Sequence, residues 1–321
     1  MTSGLSIITV THQSAGKIAA FIQAARVACP HSEIIVVDNA SSDGTDQTVR
    51  SSDVNATFIR SPYNVGFGRG CNIGAKHASS DWILFANPDL VLTSVEVPSV
   101  PSHRPFGLGA GWIAQDGGDT LVSGVRAESG LAEDWLQQIW KPFVPRSISQ
   151  HMHYRRWPPR WPIGGMFIAR RREFSKIGGF DSRYFLYFED RDLGKRYQAA
   201  GMPIRVIEGL VGTHWIGSSS VGISWWRRHG WSIISWLEYV AVWRGPVQAV
   251  HTATQVLRSL VLIARLSNRS GLSDRVRTKA YHAGLTARFI MDFDQYLPQE
   301  AHTFYPCARA AIATARLRIT A

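Results

Sequence analysis

The sequence has little cysteine, few acidic residues and no long apolar run. Its three cysteines, Cys29, Cys71 and Cys307, lie far apart and show no paired metal-ligand spacing. This usage favours a reducing compartment, the cytoplasm, over a disulfide framework. No stretch approaches the roughly 20 apolar residues of a membrane-spanning helix, and the first residues lack the basic flank of a signal peptide. We therefore expect any contact with a membrane to be peripheral.

The shortage of acids leaves the chain strongly basic. There are 24 acidic residues against 35 lysines and arginines, which gives a formal net charge of +11 at pH 7. This balance predicts an anionic partner: nucleic acid, acidic lipid or a phosphorylated substrate. The 45% hydrophobic share supplies an ordinary core. A length of 321 residues predicts one domain of about 200 residues and a smaller extension.

Short β-branched runs alternate with helical patterns over the first two thirds of the chain. This alternation predicts an α/β fold, with a mostly parallel sheet flanked by helices and functional groups at the carboxyl ends of the strands. Residues 93–160 are rich in proline, glycine and tryptophan, and we expect irregular structure there. The predicted strands are Leu5–Thr11, Glu33–Val37, Thr57–Arg60, Trp82–Ala86, Trp161–Ala169 and Ile204–Glu208.

Near Ser224 the composition changes to tryptophans, arginines and long helical patterns. We therefore predict an α/β domain at residues 1–223 and a helical, membrane-proximal extension at residues 224–321. The segment 224–244 interleaves tryptophans with arginines, and such side chains suit the headgroup layer of a membrane. An ordinary helix packed on the rest of the protein is the alternative.

Three polar clusters each follow a predicted strand. They are Asp38 with Asp43, Asn87-Pro88-Asp89, and Glu189-Asp190 with Asp192. The carboxyl ends of strands in an open α/β sheet face one crevice, so we expect these clusters to share a pocket. A single carboxylate in such a place often caps the next helix instead. Three clusters together favour a functional site.

The motifs that hold these clusters resemble those of the family 2 glycosyltransferases. The motifs are VVDNASSDGT at 36–45, NVGFGRGCNIG at 64–74, FANPD at 85–89, GGFDSRYFLYFEDRDLGKR at 178–196, and His214 in THWIGSS. The resemblance spans residues 5–220 and implies the GT-A nucleotide-diphospho-sugar transferase fold. The variants NVGF, NPD and FEDRDL are similar to the rhamnosyltransferase branch that builds bacterial cell-wall and O-antigen glycans.

This resemblance implies an inverting sugar transfer. The donor would be a nucleoside diphosphate sugar, dTDP-L-rhamnose on this branch, and the acceptor a polyprenyl-diphosphate-linked glycan precursor. A lipid-linked acceptor would place the enzyme on the inner face of the plasma membrane, as a peripheral cytoplasmic protein, and would account for its positive charge.

The resemblance also implies roles for individual residues on the donor side. Thr11 and Asp38 match positions around the nucleoside base, and Gly165 matches a position where the backbone passes close to the donor sugar. We expect Asn64, Gly66 and Asn72 to shape the nucleotide wall. The glycines of this region do not form a clean GxGxxG, which argues against dinucleotide binding.

A diphosphate leaving group gains negative charge, and a hard divalent cation, Mg²⁺ or Mn²⁺, would neutralise it. Asp89 is the best candidate for its ligand. Asn87 stands at the first position of the family's Asp-x-Asp triad, so fewer anionic ligands are present. His214 matches a late histidine that completes the metal shell in this fold, although a single histidine is often structural.

Direct displacement needs a base for the acceptor hydroxyl, and Asp190 matches the family's position for it. Glu189 and Asp192 flank it on the acceptor side, at a helix start where acids also stabilise the helix dipole. Three alternatives remain open: transfer of galactofuranose or a hexose, a catalytically silent sugar-nucleotide binder, and a basic nucleic-acid-binding module. The last leaves the acid clusters unexplained, so we expect no nucleic-acid partner.

Overall fold

The computed structural model of the protein describes residues 4–101, 103–115, 121–127, 129–140, 160–214, 224–296 and 303–320. Its strands are β1 Leu5–Thr11, β2 Glu33–Asp38, β3 Thr57–Arg60, β4 Trp82–Ala86, β5 Leu90–Val95, β6 Leu108–Gln115, β7 Leu121–Ser123, β8 Val125–Arg126, β9 Trp161–Pro162, β10 Met166–Arg170 and β11 Ile204–His214. Its helices are α1 Ala15–Ala28, α2 Thr45–Ser52, α3 Phe67–His77, α4 Leu131–Trp135, α5 Arg171–Ile177, α6 Glu189–Ala199, α7 Trp225–Arg244, α8 Pro246–Ala264, α9 Asp274–Met291 and α10 Pro306–Thr320.

The described residues fall into two compact units. The first contains the sheet with helices α1–α3, α5 and α6, and the second contains α4, the segment 183–188 and α7–α10. The predicted α/β class with helices at the carboxyl-terminal end is confirmed. The assignment of residues 1–223 and 224–321 to two domains stays a prediction.

The first half of the sheet is parallel. Strand β1 pairs with β2 on one side and β4 on the other, and β2 pairs with β3. Strands β1 and β4 are buried along their whole length, as expected for mainly apolar or β-branched strands when helices cover both faces of a sheet. All carboxyl ends of this half therefore lie at one edge.

The second half of the sheet has mixed directions. Strand β10 is antiparallel to β4 and β6, while β11 is parallel to β6 and antiparallel to β5. The order is β3-β2-β1-β4-β10-β6-β11-β5, with β7 beside β6. Because β10 runs against β4, the amino end of β10 meets the carboxyl end of β4.

The expectation of irregular structure throughout residues 93–160 was wrong for β6, β7 and β8, which form strands. Glycine replaces the usual β-branched residues in β6 because its neighbours lie close. A Cβ atom at Gly111 would lie 2.0 Å from the carbonyl oxygen of Leu210, and one at Gly109 would lie 2.6 Å from the side chain of Ile207. This crowding removes the sequence signal on which a strand prediction depends.

In the second unit, helices α7–α10 surround their own apolar core. Helix α8 buries a stripe that includes Ala253, Leu257 and Leu260, and α9 buries one that includes Ala280 and Ala283. No helix in the described ranges is long and apolar enough to cross a membrane.

The tryptophans of α7 do not form an exposed membrane-facing surface, contrary to the preferred interpretation of 224–244. Trp236 is fully buried, while Trp226, Trp231 and Trp243 are half-buried against the core of this unit. Trp225, at the start of α7, remains 36% exposed. The aromatic partners that bury the other indoles, such as Phe289, come from α9 and are distant in sequence.

A buried tyrosine holds the segment 183–188 within the second unit. The hydroxyl of Tyr305 accepts hydrogen bonds from the N–H groups of Phe185 and Leu186, at 3.0 and 2.9 Å. It also lies 2.8 Å from the hydroxyl of Ser235 on α7. Tyr187 and Phe188, which end this segment, have φ values of 71° and 63°. Such values are costly for large side chains and occur at constrained functional loops.

Candidate active site

The first two polar clusters lie at the same edge of the sheet. The last pair of the β1–β2 ladder is Thr11 with Asp38. The β1–β4 ladder ends at Ile8 with Phe85, so the turn at 87–89 follows β4 at the level where β1 ends. The carboxyl ends of β2 and β4, which these two clusters follow, therefore lie at the same edge of the sheet, as predicted.

Asp38 organises the loop after β2 from a fully buried position. Its Oδ1 atom accepts hydrogen bonds from the hydroxyls of Thr11 at 3.0 Å and Ser41 at 2.5 Å, and its Oδ2 atom accepts the N–H of Ser41 at 3.0 Å. Arg60, its register partner on β3, lies 3.7 Å away. The carboxylate thus fixes the loop that borders the crevice. The contribution of Asp38 and Thr11 to nucleoside binding stays a prediction.

Asp43 stabilises the first turns of α1 and α2. It accepts the N–H of Ala15 at the start of α1 at 2.9 Å and the hydroxyl of Thr45 at the start of α2 at 2.6 Å. This is the structural alternative of helix capping, since carboxylates commonly satisfy the free N–H groups of a first helical turn.

The segment NVG at 64–66 forms a tight turn before α3. The N–H of Gly66 donates to the side chain of Asn64 at 3.0 Å, and the carbonyl of Gly66 accepts from the side chain of Asn39 at 3.1 Å. Gly66 has φ of 82°, a value that favours glycine. The sequence analysis missed Asn39, although its place beside Asp38 at a strand end was a usable signal.

Asn72 clamps the turn that leads towards the third cluster. Its side chain donates to the carbonyl of Phe180 and accepts the N–H of the same residue, both at 2.8 Å. Gly179 is required beside it, because φ is 67° and an added Cβ would lie 2.4 Å from Oδ1 of Asn72. Asn72 therefore shapes the site through the backbone of Phe180.

Asp192 supports the same turn through Arg196. The carboxylate is 1% exposed and accepts a hydrogen bond from Nε of Arg196 at 2.8 Å. The guanidinium of Arg196 also donates to the carbonyls of Ile177 and Gly179. Asp192 thus holds a neighbouring basic residue, and its place on the acceptor side stays a prediction.

The turn Asn87-Pro88-Asp89 is tied to the segment before β10. The N–H of Asn87 donates to the carbonyl of Gly165 at 2.9 Å, and the N–H of Leu90 closes the turn on the carbonyl of Asn87 at 3.1 Å. A Cβ at Gly165 would lie 3.9 Å from Nδ2 of Asn87. The carboxylate of Asp89 is 4% exposed. This turn therefore stands directly beside the two glycines at 164 and 165.

His214 ends β11, where its backbone pairs with Leu90, the residue after Asp89. Its side chain lies outside the described residues. Among the side chains that are described, no group of three or more His, Cys, Asp or Glu could hold a metal ion. Asp89 and the backbone of His214 nevertheless occupy neighbouring positions on paired strands. The assignment of Asp89 and His214 as metal ligands stays a prediction.

Asp190 lies next to the same glycines. Its Oδ2 atom accepts the N–H of Gly164 at 2.9 Å, and its Oδ1 atom accepts the N–H of Arg191 at 2.7 Å. The side chain is half-buried. Removal from water raises the pKa of Asp190 to about 6, although both hydrogen bonds act to lower it. A carboxylate with this pKa is ionised at pH 7 and can accept a proton.

Glu189 occupies a different environment from that of Asp190. Glu189 is 5% exposed. It packs close to Gly68 on α3, where an added Cβ atom would lie only 3.6 Å from the Cβ atom of Glu189. Burial, with the charge of Asp190 as a second cause, raises the pKa of Glu189 well above its usual range. Burial thus favours the neutral form of Glu189 beside the candidate base Asp190.

Comparisons with known proteins match both parts of the sheet. Residues 6–100 match the model of glycosyl transferase family 2, and residues 145–214 match a model described as the N-terminal domain of galactosyltransferase. An N-acetylglucosaminyl-diphospho-decaprenol L-rhamnosyltransferase of Mycobacterium tuberculosis is 26% identical over 222 residues, which cover 63% of this chain and 72% of the relative. A rhamnosyltransferase of Escherichia coli is 24% identical over 161 residues, or 47% of this chain and 61% of the relative.

Among solved structures, a mannosyltransferase from Pyrobaculum calidifontis in complex with GDP-Man and Mn²⁺ is similar to this chain. It is 12% identical, with a TM-score of 0.48, and the match covers 99% of this chain and 87% of that one.

The class of protein that the family match at residues 6–100 and the curated relatives support is a glycosyltransferase, built on an α/β sheet with a polar edge. The predicted resemblance to family 2 glycosyltransferases is thereby confirmed. Within that class the chain is rhamnosyltransferase-like in sequence, as the relatives from Mycobacterium tuberculosis and Escherichia coli show.

Proposed function

We propose that the protein transfers L-rhamnose, with inversion, from dTDP-L-rhamnose to a polyprenyl-diphosphate-linked glycan precursor at the cytoplasmic face of the membrane. One observation carries the proposal of sugar transfer. The Gly164-Gly165 segment is bonded to Asp190 on one side and to the Asn87-Pro88-Asp89 turn on the other. A candidate base and a candidate phosphate-side ligand thus border one short stretch of backbone.

In this proposal Asp190 removes the proton from the acceptor hydroxyl. Each carboxylate oxygen has two lone pairs and accepts one backbone N–H, so lone pairs remain for the acceptor. The acceptor oxygen then bonds to the anomeric carbon as the bond from that carbon to the diphosphate oxygen breaks. Attack opposite the leaving group inverts the anomeric configuration, and the proton remains on Asp190.

The leaving diphosphate takes up the electron pair of the broken bond. Asp89 and His214 would hold a divalent cation, Mg²⁺ or Mn²⁺, which neutralises charge on the phosphates when bound. Asn87 is neutral, so Asp89 is the only anionic residue of the Asn87-Pro88-Asp89 turn. On the donor side, Thr11, Asp38, Asn64, Gly66 and Asn72 shape the nucleoside wall through the contacts described above.

The choice of rhamnose and of a polyprenyl acceptor rests on similarity to the decaprenol-linked rhamnosyltransferase. Galactosyl transfer is a second candidate, because residues 145–214 match the galactosyltransferase model. The two candidates share Asp190 and Asp89 and differ in the sugar bound near Gly165.

A donor panel tests the proposal. Purified protein is incubated with dTDP-rhamnose, UDP-galactose, UDP-galactofuranose and GDP-mannose, with lipid-linked N-acetylglucosaminyl diphosphate as acceptor and Mn²⁺, Mg²⁺ or chelator. The proposal predicts metal-dependent product from dTDP-rhamnose, with an anomeric configuration opposite to that of the donor by NMR. Product from a galactosyl donor would support the second candidate. Donor binding without turnover on this or crude membrane-derived acceptor would contradict catalysis and indicate a silent sugar-nucleotide binder.

A further inference from the structure

The second unit contains a cleft that the proposed reaction does not use. Its volume is about 390 Å³, and its lining residues are Trp225, Arg275, Thr278, Lys279 and His282. The volume falls within the usual range of small-ligand pockets, roughly 300–1,000 Å³.

One face of α9 supplies four of the five lining residues. Arg275, Thr278, Lys279 and His282 follow the spacing i, i+3, i+4, i+7, which brings them onto one stripe of the helix. Trp225, the first residue of α7, supplies the opposite wall, and its ring centroid lies 5.8 Å from that of His282. The positive end of the α7 dipole therefore lies at the cleft.

The lining offers donors and positive charge and includes no acidic residue. Partial burial, and then the neighbouring Arg275, lower the pKa of Lys279. Two cations held close together in this way repel each other, and a bound anion between them would relieve the repulsion. A hydroxyl from Thr278 and a ring N–H from His282 add hydrogen-bond donors of the kind that phosphate oxygens accept.

We propose that this cleft binds a phosphate group, with Arg275 and Lys279 on the phosphate oxygens and the indole of Trp225 against the organic part of the ligand. The phosphate belongs either to an anionic lipid headgroup or to a soluble phosphate. Trp225 is the exposed tryptophan of α7, and indoles at such edges suit the headgroup layer. This site is independent of sugar transfer and needs neither donor nor acceptor.

The test measures binding of the full chain to sedimented vesicles of phosphatidylcholine, with and without about 30% phosphatidylglycerol. The pocket variant is Arg275→Gln with Lys279→Gln. The matched control is Arg277→Gln with Arg288→Gln, which removes two exposed cations from the same helix outside the lining. We expect the pocket variant to lose about tenfold or more in affinity for anionic vesicles, since each headgroup contact contributes substantially, and the control to lose less than about threefold.

A second arm identifies the source of the phosphate. Inorganic phosphate and pyrophosphate are titrated into protein with labelled histidines, and the ring signals of His282, assigned with His282→Gln, are followed by NMR. Saturable shifts that the pocket variant abolishes, without preference for anionic vesicles, would indicate a soluble phosphate. Vesicle binding that depends on the pocket residues would indicate a lipid headgroup. Equal losses of vesicle affinity in the pocket and control variants would overturn the proposal. It would also be overturned if the wild-type protein bound neither the anionic vesicles nor the soluble phosphates.

Discussion

The Oδ2 atom of Asp190 accepts a 2.9 Å hydrogen bond from the backbone N–H of Gly164. Gly165, the next residue, accepts the N–H of Asn87 through its carbonyl. The carboxylate is thus fixed against the same backbone that holds the Asn87-Pro88-Asp89 turn. This arrangement supports the proposal that Asp190 is the base of the transfer reaction.

The pKa of Asp190 predicts how activity depends on pH. Because removal from water raises this pKa to about 6 and the base must be ionised, kcat/KM should rise with pH and level off above about pH 6. The measurement is a pH–rate profile at saturating metal. A profile that is flat from pH 5 to 7 would argue against Asp190 as the titrating group.

The role of Asp89 predicts a change in metal dependence. Asp89→Asn should raise the Mn²⁺ concentration needed for half-maximal activity by at least about tenfold. Mutation of a residue that only supports a metal ligand already lowers metal affinity by about 10–100-fold, and the loss of a ligand itself should cost at least as much. Asp81→Asn, at an exposed position in the same unit, is the control. An unchanged metal requirement in the Asp89 variant would contradict its assignment as a ligand.

Glu189 predicts a pH dependence of stability. Its folded-state pKa is raised, so between the unfolded pKa and the folded pKa the folded protein binds more protons than the unfolded chain. Its contribution to the free energy of unfolding therefore falls as pH rises above about 4.5. Between pH 5 and pH 7 the free energy of unfolding, measured with urea, should therefore fall less for Glu189→Gln than for the wild type. The exposed Glu96→Gln should behave like wild type.

The clamp on Phe180 predicts a loss of stability for Asn72→Ala. The substitution leaves two backbone groups of Phe180 without their partner, and each group left unsatisfied in a buried place costs about 1–3 kcal/mol. Thermal and urea unfolding measure the loss, with the exposed Asn55→Ala as control. Equal stability of the two variants would show that the clamp contributes little.

The sequence predicted most of the first half of the sheet because the signal there is strong. Strands β1 and β4 are buried on both faces, so β4 is continuously apolar and β1 is dominated by apolar and β-branched residues. Strand β6 was missed because its glycines are selected by contacts with β11, which lie about 100 residues away in sequence. Local patterns do not contain such contacts.

The sequence identified residues of the candidate site but not the contacts between them. Asp190 lies in the first turn of α6 and not at the end of a strand, so the prediction that its cluster follows a strand was wrong. The strand-end pattern found Asp38 and Asp89, since the carboxyl ends of β2 and β4 lie at one edge. It could not show that Asp192 is held by Arg196 or that Asn72 holds Phe180, because these pairings depend on tertiary packing. The inward packing of Trp236 was missed for the same reason.

The most direct test of Asp190 as the base is the turnover number of Asp190→Asn, measured with the donor that the wild-type protein uses and compared with Asp81→Asn. We expect turnover to fall about 10²–10⁴-fold for Asp190→Asn, the usual contribution of a general base, and not to fall for Asp81→Asn. Donor affinity and unfolding temperature of Asp190→Asn should stay close to those of the wild type. Turnover by Asp190→Asn within about threefold of wild type would contradict the assignment of Asp190 as the base.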